Sequence, residues 1–186
     1  MAVKSLRDLV KSRFAEFLKG LGFEQASGNR IYYRYRRRLE KRHDIVEVQF
    51  DKYQRPKFIL NFGKVPTEGL IDSYGRFVKA DEVRISQLVE QGRLYSCPKL
   101  TFLEHWFGVG YFTMLPPKRA AEAEIEKLIR LFPQVDRWLD SGETGSNVQI
   151  WERLHNAPGV AKKALQAKGM WPPEGWTEED ERALRM

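Results

Sequence analysis

Residues 30–65 read RIYYRYRRRLEKRHDIVEVQFDKYQRPKFILNFGKV, and this stretch decides the fold. Its large apolar side chains recur at every second position within three runs, RIYYRYRRR, DIVEVQFDKY and KFILNFGKV, each rich in β-branched or aromatic residues. The linkers LEKRH and QRP have lengths that suit antiparallel neighbours. The pattern predicts a three-stranded meander. One face carries Ile31, Tyr33 and Tyr35, then Val46, Val48 and Phe50, then Phe58, Leu60 and Phe62. The other face is polar, with Arg30, Tyr32, Arg34, Arg36 and Arg38, then Glu47, Gln49 and Asp51, then Lys57 and Asn61.

Upstream the period changes to that of a helix. Leu6, Leu9, Val10, Phe14, Phe17, Leu18 and Leu21 recur at spacings of three and four, which predicts a helix over 3–19 ended by Gly20 and Gly22. Downstream, TEGLIDSYGRFVKADE reads as a loop and DEVRISQLVEQG as a short helix. GRLYSCP and GVGYFTML read as two further strands, with FLEHWF between them. Helical spacing returns over 118–140, bent or broken at Pro133. NVQIWERLH reads as a short helix, followed by GVAKKALQAKG and by TEEDERALRM, with Thr177 as N-cap. The expected class is α+β: an antiparallel sheet of about five strands with two long helices on its apolar face and a C-terminal helical tail. The expected division is a single domain over 1–157 and an appendage over 158–186.

Composition fits one core of ordinary size, with 42% hydrophobic and 31% charged residues in 186. No apolar run approaches the roughly 20 residues that span a bilayer, and the charged N-terminus is unlike a secretory signal. The lone Cys97 fits a reducing cytoplasm, the expected location. Formal charge is +2 over residues 1–29, +6 over 30–42 and −1 over 43–186, so nearly all of the net +7 lies in one short stretch. An acidic partner is implied, either a protein or a nucleic acid, and no membrane.

With the meander in place, the chain resembles a family of bacterial domains of unknown function, small α+β proteins. The resemblance is carried by Gly22 and Phe23, Tyr33 and Arg34, Val48 and Gln49, and Asn61, Phe62 and Gly63, with fainter echoes in Arg93 and Leu94 and in Trp106 and Phe107. It implies a small bacterial domain and brings no activity, because the family has none agreed.

Several residues invite chemistry. Side chains two apart on a strand lie about 7 Å from one another, so Arg30, Arg34, Arg36 and Arg38 with Tyr32 form a basic row holding one ring, joined by Lys57. Such a row suits a single-stranded nucleic acid, with Tyr32 stacking on a base, or an acidic protein; a solvated sheet face is the plainer alternative. Gln49 and Asn61 sit together on adjacent strands, either satisfying each other or meeting a ligand. Trp171 and Trp176 in MWPPEGW need cover, from their own domain or from a second chain, a tail exchanged in a homodimer being one form. Cys97 with His105 suggests a nucleophile and base, but nothing nearby lowers the thiol pKa. His43 and His155 have no metal-ligand spacing, and SGETGSN lacks the Lys-Ser/Thr of a P-loop. The expectation is therefore a non-enzymatic binding module using a basic sheet face, with no cofactor, no metal and no catalytic residue. By analogy of fold it could serve as an immunity or antitoxin-like protein; the alternative is a nucleic-acid-binding protein.

Overall fold

The computed structural model describes residues 2–98, 106–109, 116–172 and 177. The chain opens on α1 (Ala2–Leu9), passes through one π turn at Val10–Phe14 and continues as α2 (Ala15–Gly20). Gly22, at φ +83°, stops it: the Phe23 N–H reaches the Leu18 carbonyl and the Gly22 N–H reaches that of Lys19, each at 3.0 Å. This is the left-handed glycine stop that the sequence calls for.

The strands β1 (Glu24–Gly28), β2 (Tyr32–Arg38), β3 (Arg42–Phe50) and β4 (Lys57–Pro66) follow as antiparallel neighbours. A small ribbon of β5 (Leu70–Ile71) and β6 (Phe77–Val78) and a 3₁₀ turn at Ile85–Gln87 lead to β7 (Glu90–Leu94). β8 (Phe107–Gly108) pairs with one end of β4. Next come α3 (Pro117–Leu131), α4 (Pro133–Ser141) and β9 (Val148–Glu152), which pairs with β7. A 3₁₀ turn at Leu154–Asn156 and α5 (Val160–Ala167) complete the described elements. The fold is α+β, around a seven-stranded antiparallel sheet ordered β1-β2-β3-β4-β7-β9 with β8 beside β4.

The meander has the expected register, with Tyr33 opposite Val48, Tyr35 opposite Val46, and Val46 opposite Phe62. These residues form the main core with Leu6, Val10, Phe14 and Leu18 of the first helical rod and Ile125, Leu128, Phe132 and Leu139 of α3 and α4. The ring of Phe132 meets those of Phe14, Phe17 and Phe23 edge to face at 5.5–6.1 Å, locking the helix pair onto the sheet. Pro133 separates α3 from α4, as its missing N–H demands.

Five strands were too few. β1 lies between the first helix and the arginine-rich run, in EQASG, which has no apolar alternation to announce it. β9 occupies the stretch read as a short helix: Val148 is buried in the core and Ile150 packs against it, a period of two hidden by the helix-forming WERLH that follows. The helix expected in DEVRISQLVEQG is a single 3₁₀ turn that runs into β7, and β7 starts two residues before the strand read as GRLYSCP. Of the next expected strand, GVGYFTML, only Gly108 and Val109 are described, and the observed strand there is Phe107–Gly108; residues 110–115 lie outside the described residues.

The second face of the sheet departs most from expectation. Ile45 and Val65 point there and form a separate small core with Ala80, Val83, Ile85 and Leu88. Residues 67–89 thus fold over part of the face. Gly63 sits beneath Leu88, whose Cδ1 would overlap a Cβ added there, so the absence of a side chain makes room for Leu88. Beyond Ala157, the Ala161 N–H donates to the Ser73 carbonyl at 3.0 Å, joining α5 to the β5–β6 ribbon.

Candidate functional site

Residues 67–89 cover the second face only in part, and beside them a recess of about 380 Å³ opens on the sheet. Strand pairing supplies its floor. Arg34, Glu47, Asn61 and Arg93 stand opposite one another in sequence across β2, β3, β4 and β7 and so form one cross-strand row. Tyr32 and Gln49, also paired, form the next row. Arg84, Ile85, Ser86, Gln91 and Arg153 complete its lining. The Arg153 N–H donates to the Val89 carbonyl, fixing its backbone where β9 ends.

Hydrogen bonds order the floor. Arg93 Nε donates to Asn61 Oδ1 at 2.9 Å, and Asn61 Nδ2 donates to Gln49 Oε1 at 3.0 Å. This relay leaves the Gln49 amide N–H groups without a partner among the described residues. Arg34 Nε meets Glu47 Oε2 at 2.6 Å, and its guanidinium lies 5.3 Å from the centre of the Tyr32 ring. Arg93 similarly lies 5.0 Å from the Trp151 ring centre.

The charges do not balance. Four arginines line the recess with one carboxylate, Glu47, which Arg34 engages. Among the described residues no carboxylate comes within ion-pair distance of Arg84, Arg93 or Arg153. Burial, together with the neighbouring charge of Arg153, draws the Arg93 guanidinium below its ordinary pKa, against the pull of a hydrogen bond to Tyr95. A guanidinium does not give up its proton at accessible pH, so Arg93 remains charged in the recess.

The basic row read from β2 is divided by the fold. Arg34 and Tyr32 line the recess with Gln49 and Asn61, which are diagonal neighbours rather than direct ones. Arg36 does not face solvent: it is 3% exposed and donates to the carbonyls of Ala80 and Val83, pinning residues 67–89 to the sheet. Arg38 forms ion pairs with Glu24 at 2.8 Å and Asp81 at 3.1 Å. Arg30 is exposed on the β1–β2 turn, outside the recess, and Lys57 rests 5.2 Å from the Trp106 ring centre at the start of β4. Trp171 packs beside Lys162 of α5, ring centre to Nζ 4.9 Å; Trp176 and His105 lie outside the described residues. Among the described residues no cluster of three His, Cys, Asp or Glu side chains is placed to hold a metal, and no helix is long and apolar enough to cross a membrane.

Sequence reasoning missed Arg84, Gln91, Arg93 and Arg153 as site residues. The alternation of Gln91 and Arg93 in β7 was a usable signal; the other two depend on tertiary placement that no local pattern encodes. No family model, curated protein or solved structure matches the chain.

Proposed function

We propose that this protein is a binding module, not an enzyme, and that its recess receives an anionic group of a partner. The observation that carries this reading is the convergence of Arg84, Arg93 and Arg153, none with a carboxylate partner among the described residues, on a polar floor set by Gln49 and Asn61. Arginine forks match carboxylate and phosphate oxygens in two-pronged geometry, and a partly desolvated site strengthens each contact. Catalysis has less support: the carboxylate in the recess is committed to Arg34, and among the described residues neither imidazole nor thiol lines it. An immunity or antitoxin-like role would be one instance of such docking, and the resemblance to small bacterial domains of unknown function adds no activity.

The test is thermal melting with inorganic pyrophosphate as the probe. Ligand at a hundred times its Kd stabilises by about 2.7 kcal/mol, which raises Tm by roughly 5–10 °C in a domain of this size. The shift should saturate with pyrophosphate and vanish in Arg84→Gln/Arg153→Gln. An equal shift in that variant would show that the recess is not the site.

A further inference from the structure

Building on the anion-binding reading, we infer that the natural ligand is a single-stranded nucleic acid, with one nucleotide seated in the recess and the adjoining backbone carried over the β1–β2 turn. Size is the first argument. A volume of about 380 Å³ lies in the range of small-molecule sites and suits a nucleotide unit, whereas one acidic side chain would leave most of it empty. Composition is the second. Besides its arginines the recess offers the Gln49 amide, which suits the polar edge of a base, and Tyr32 on its lining as a stacking platform; the Gln91 amide N–H is already held by the Leu88 carbonyl. An acidic protein surface would need the cations but neither the amide nor the ring.

Continuity is the third argument. Tyr32 is tied to the β1–β2 turn by its N–H, which donates to Asn29 Oδ1 at 2.9 Å. On the far side of that turn Arg7, Lys11 and Arg30 line a second, shallower concavity of about 390 Å³. Arg30 stands on the same turn, exposed and two residues before Tyr32. Basic side chains therefore continue past the recess around the β1–β2 turn.

The experiment is fluorescence anisotropy with labelled single-stranded RNA and DNA of mixed sequence, a DNA duplex and a polyglutamate peptide, each at two salt concentrations. Binding to single strands should exceed binding to duplex, and log K should fall with log salt by about 0.7 per phosphate contact. Arg84→Gln/Arg153→Gln should weaken binding at least fivefold and flatten that slope, and Tyr32→Ala should cost on the order of tenfold. Lys118→Gln/Arg130→Gln, which removes equal charge from exposed positions on α3 across the sheet, should change affinity less than twofold. Melting curves confirm that each variant is folded. Equal losses in the α3 control, or equal affinity for duplex, would overturn the inference. Polyglutamate binding without strand binding would overturn it while sparing the anion site, and failure of pyrophosphate as well would remove both.

Discussion

Replacing Arg36 with Met separates two readings of β2. If the side chain stood in a solvated row, the change would be nearly neutral, within about 0.5 kcal/mol. In the structure it is buried and supplies two charged donors to the Ala80 and Val83 carbonyls. Hydrogen bonds to a charged group are worth about 1.5–3 kcal/mol each, which sets a gross loss of roughly 3–6 kcal/mol. Two features offset it. The cation no longer has to be desolvated, and Met fills much of the aliphatic volume. Arg36 Nε has no hydrogen-bond partner among the described residues, so that donor adds nothing to the loss. The expected net cost is about 2–4 kcal/mol, or a fall in Tm of roughly 4–16 °C. Urea unfolding gives the free energy, and amide hydrogen exchange should quicken first around Ala80–Leu88. Arg38→Met, which removes only exposed pairs with Glu24 and Asp81, should cost less than about 1 kcal/mol. A loss below 1 kcal/mol for Arg36→Met, with exchange unchanged, would refute the view that this guanidinium fastens residues 67–89 to the sheet.

Other outcomes follow from the same structure. Asp44 is fully buried between Arg37, at 2.8 Å, and Arg42, at 2.9 Å, with Asp136 and Asp140 completing the network, so Asp44→Ala should cost about 3–5 kcal/mol in urea unfolding. Gly63→Ala drives a methyl into Leu88 and should cost about 1–3 kcal/mol, with the double variant Gly63→Ala/Leu88→Ala recovering part of what the two single changes predict in sum. In the β3–β4 turn, hydrogen bonding from Arg55, aided by the Tyr53 N–H, holds the Asp51 carboxyl below its ordinary pKa. That contribution is present above the ordinary carboxylate range and lost as pH falls through the lowered value. Asp51→Asn should therefore destabilise at pH 7, with the gap in Tm from the parent closing under acid; a gap independent of pH would show that the charge is not involved.

What the sequence disclosed depends on how far each signal extends along the chain. The meander was legible because period-two alternation over Ile31–Tyr35, Val46–Phe50 and Phe58–Phe62 is local, as was the glycine stop at Gly22. β1 was invisible because an edge strand of polar residues needs only a neighbour to pair with, and that neighbour is β2. The second core gave a faint trace: Ile45, Ile59 and Val65 occupy the phase assigned to the polar face, and all three are buried. Apolar residues at supposedly solvated positions were the sign that something covers them. Tyr32, Arg34, Gln49 and Asn61 were read as one surface and do line one recess. Arg84 and Arg153 reach it only because residues 67–89 fold back and β9 pairs with β7, which are non-local facts.

The arginine density of β2 has a structural answer that also locates the binding surface. Arg34 meets Glu47, Arg36 meets two backbone carbonyls, Arg37 meets Asp44 and Asp136, and Arg38 meets Glu24 and Asp81. Several of these partners lie 40 to 100 positions away, in the part of the chain whose formal charge is −1. Acids from that part therefore travel to β2. Arg84, Arg93 and Arg153 belong to the same part and come together where the one acid among the described lining residues, Glu47, is engaged by Arg34. A stretch with the highest charge along the chain is thus the place where neutralising partners are recruited, because packing four guanidinium groups at strand spacing without them would be costly. The unbalanced charge appears instead where basic residues from three separate segments converge after folding, and that is where an anionic ligand gains most from binding.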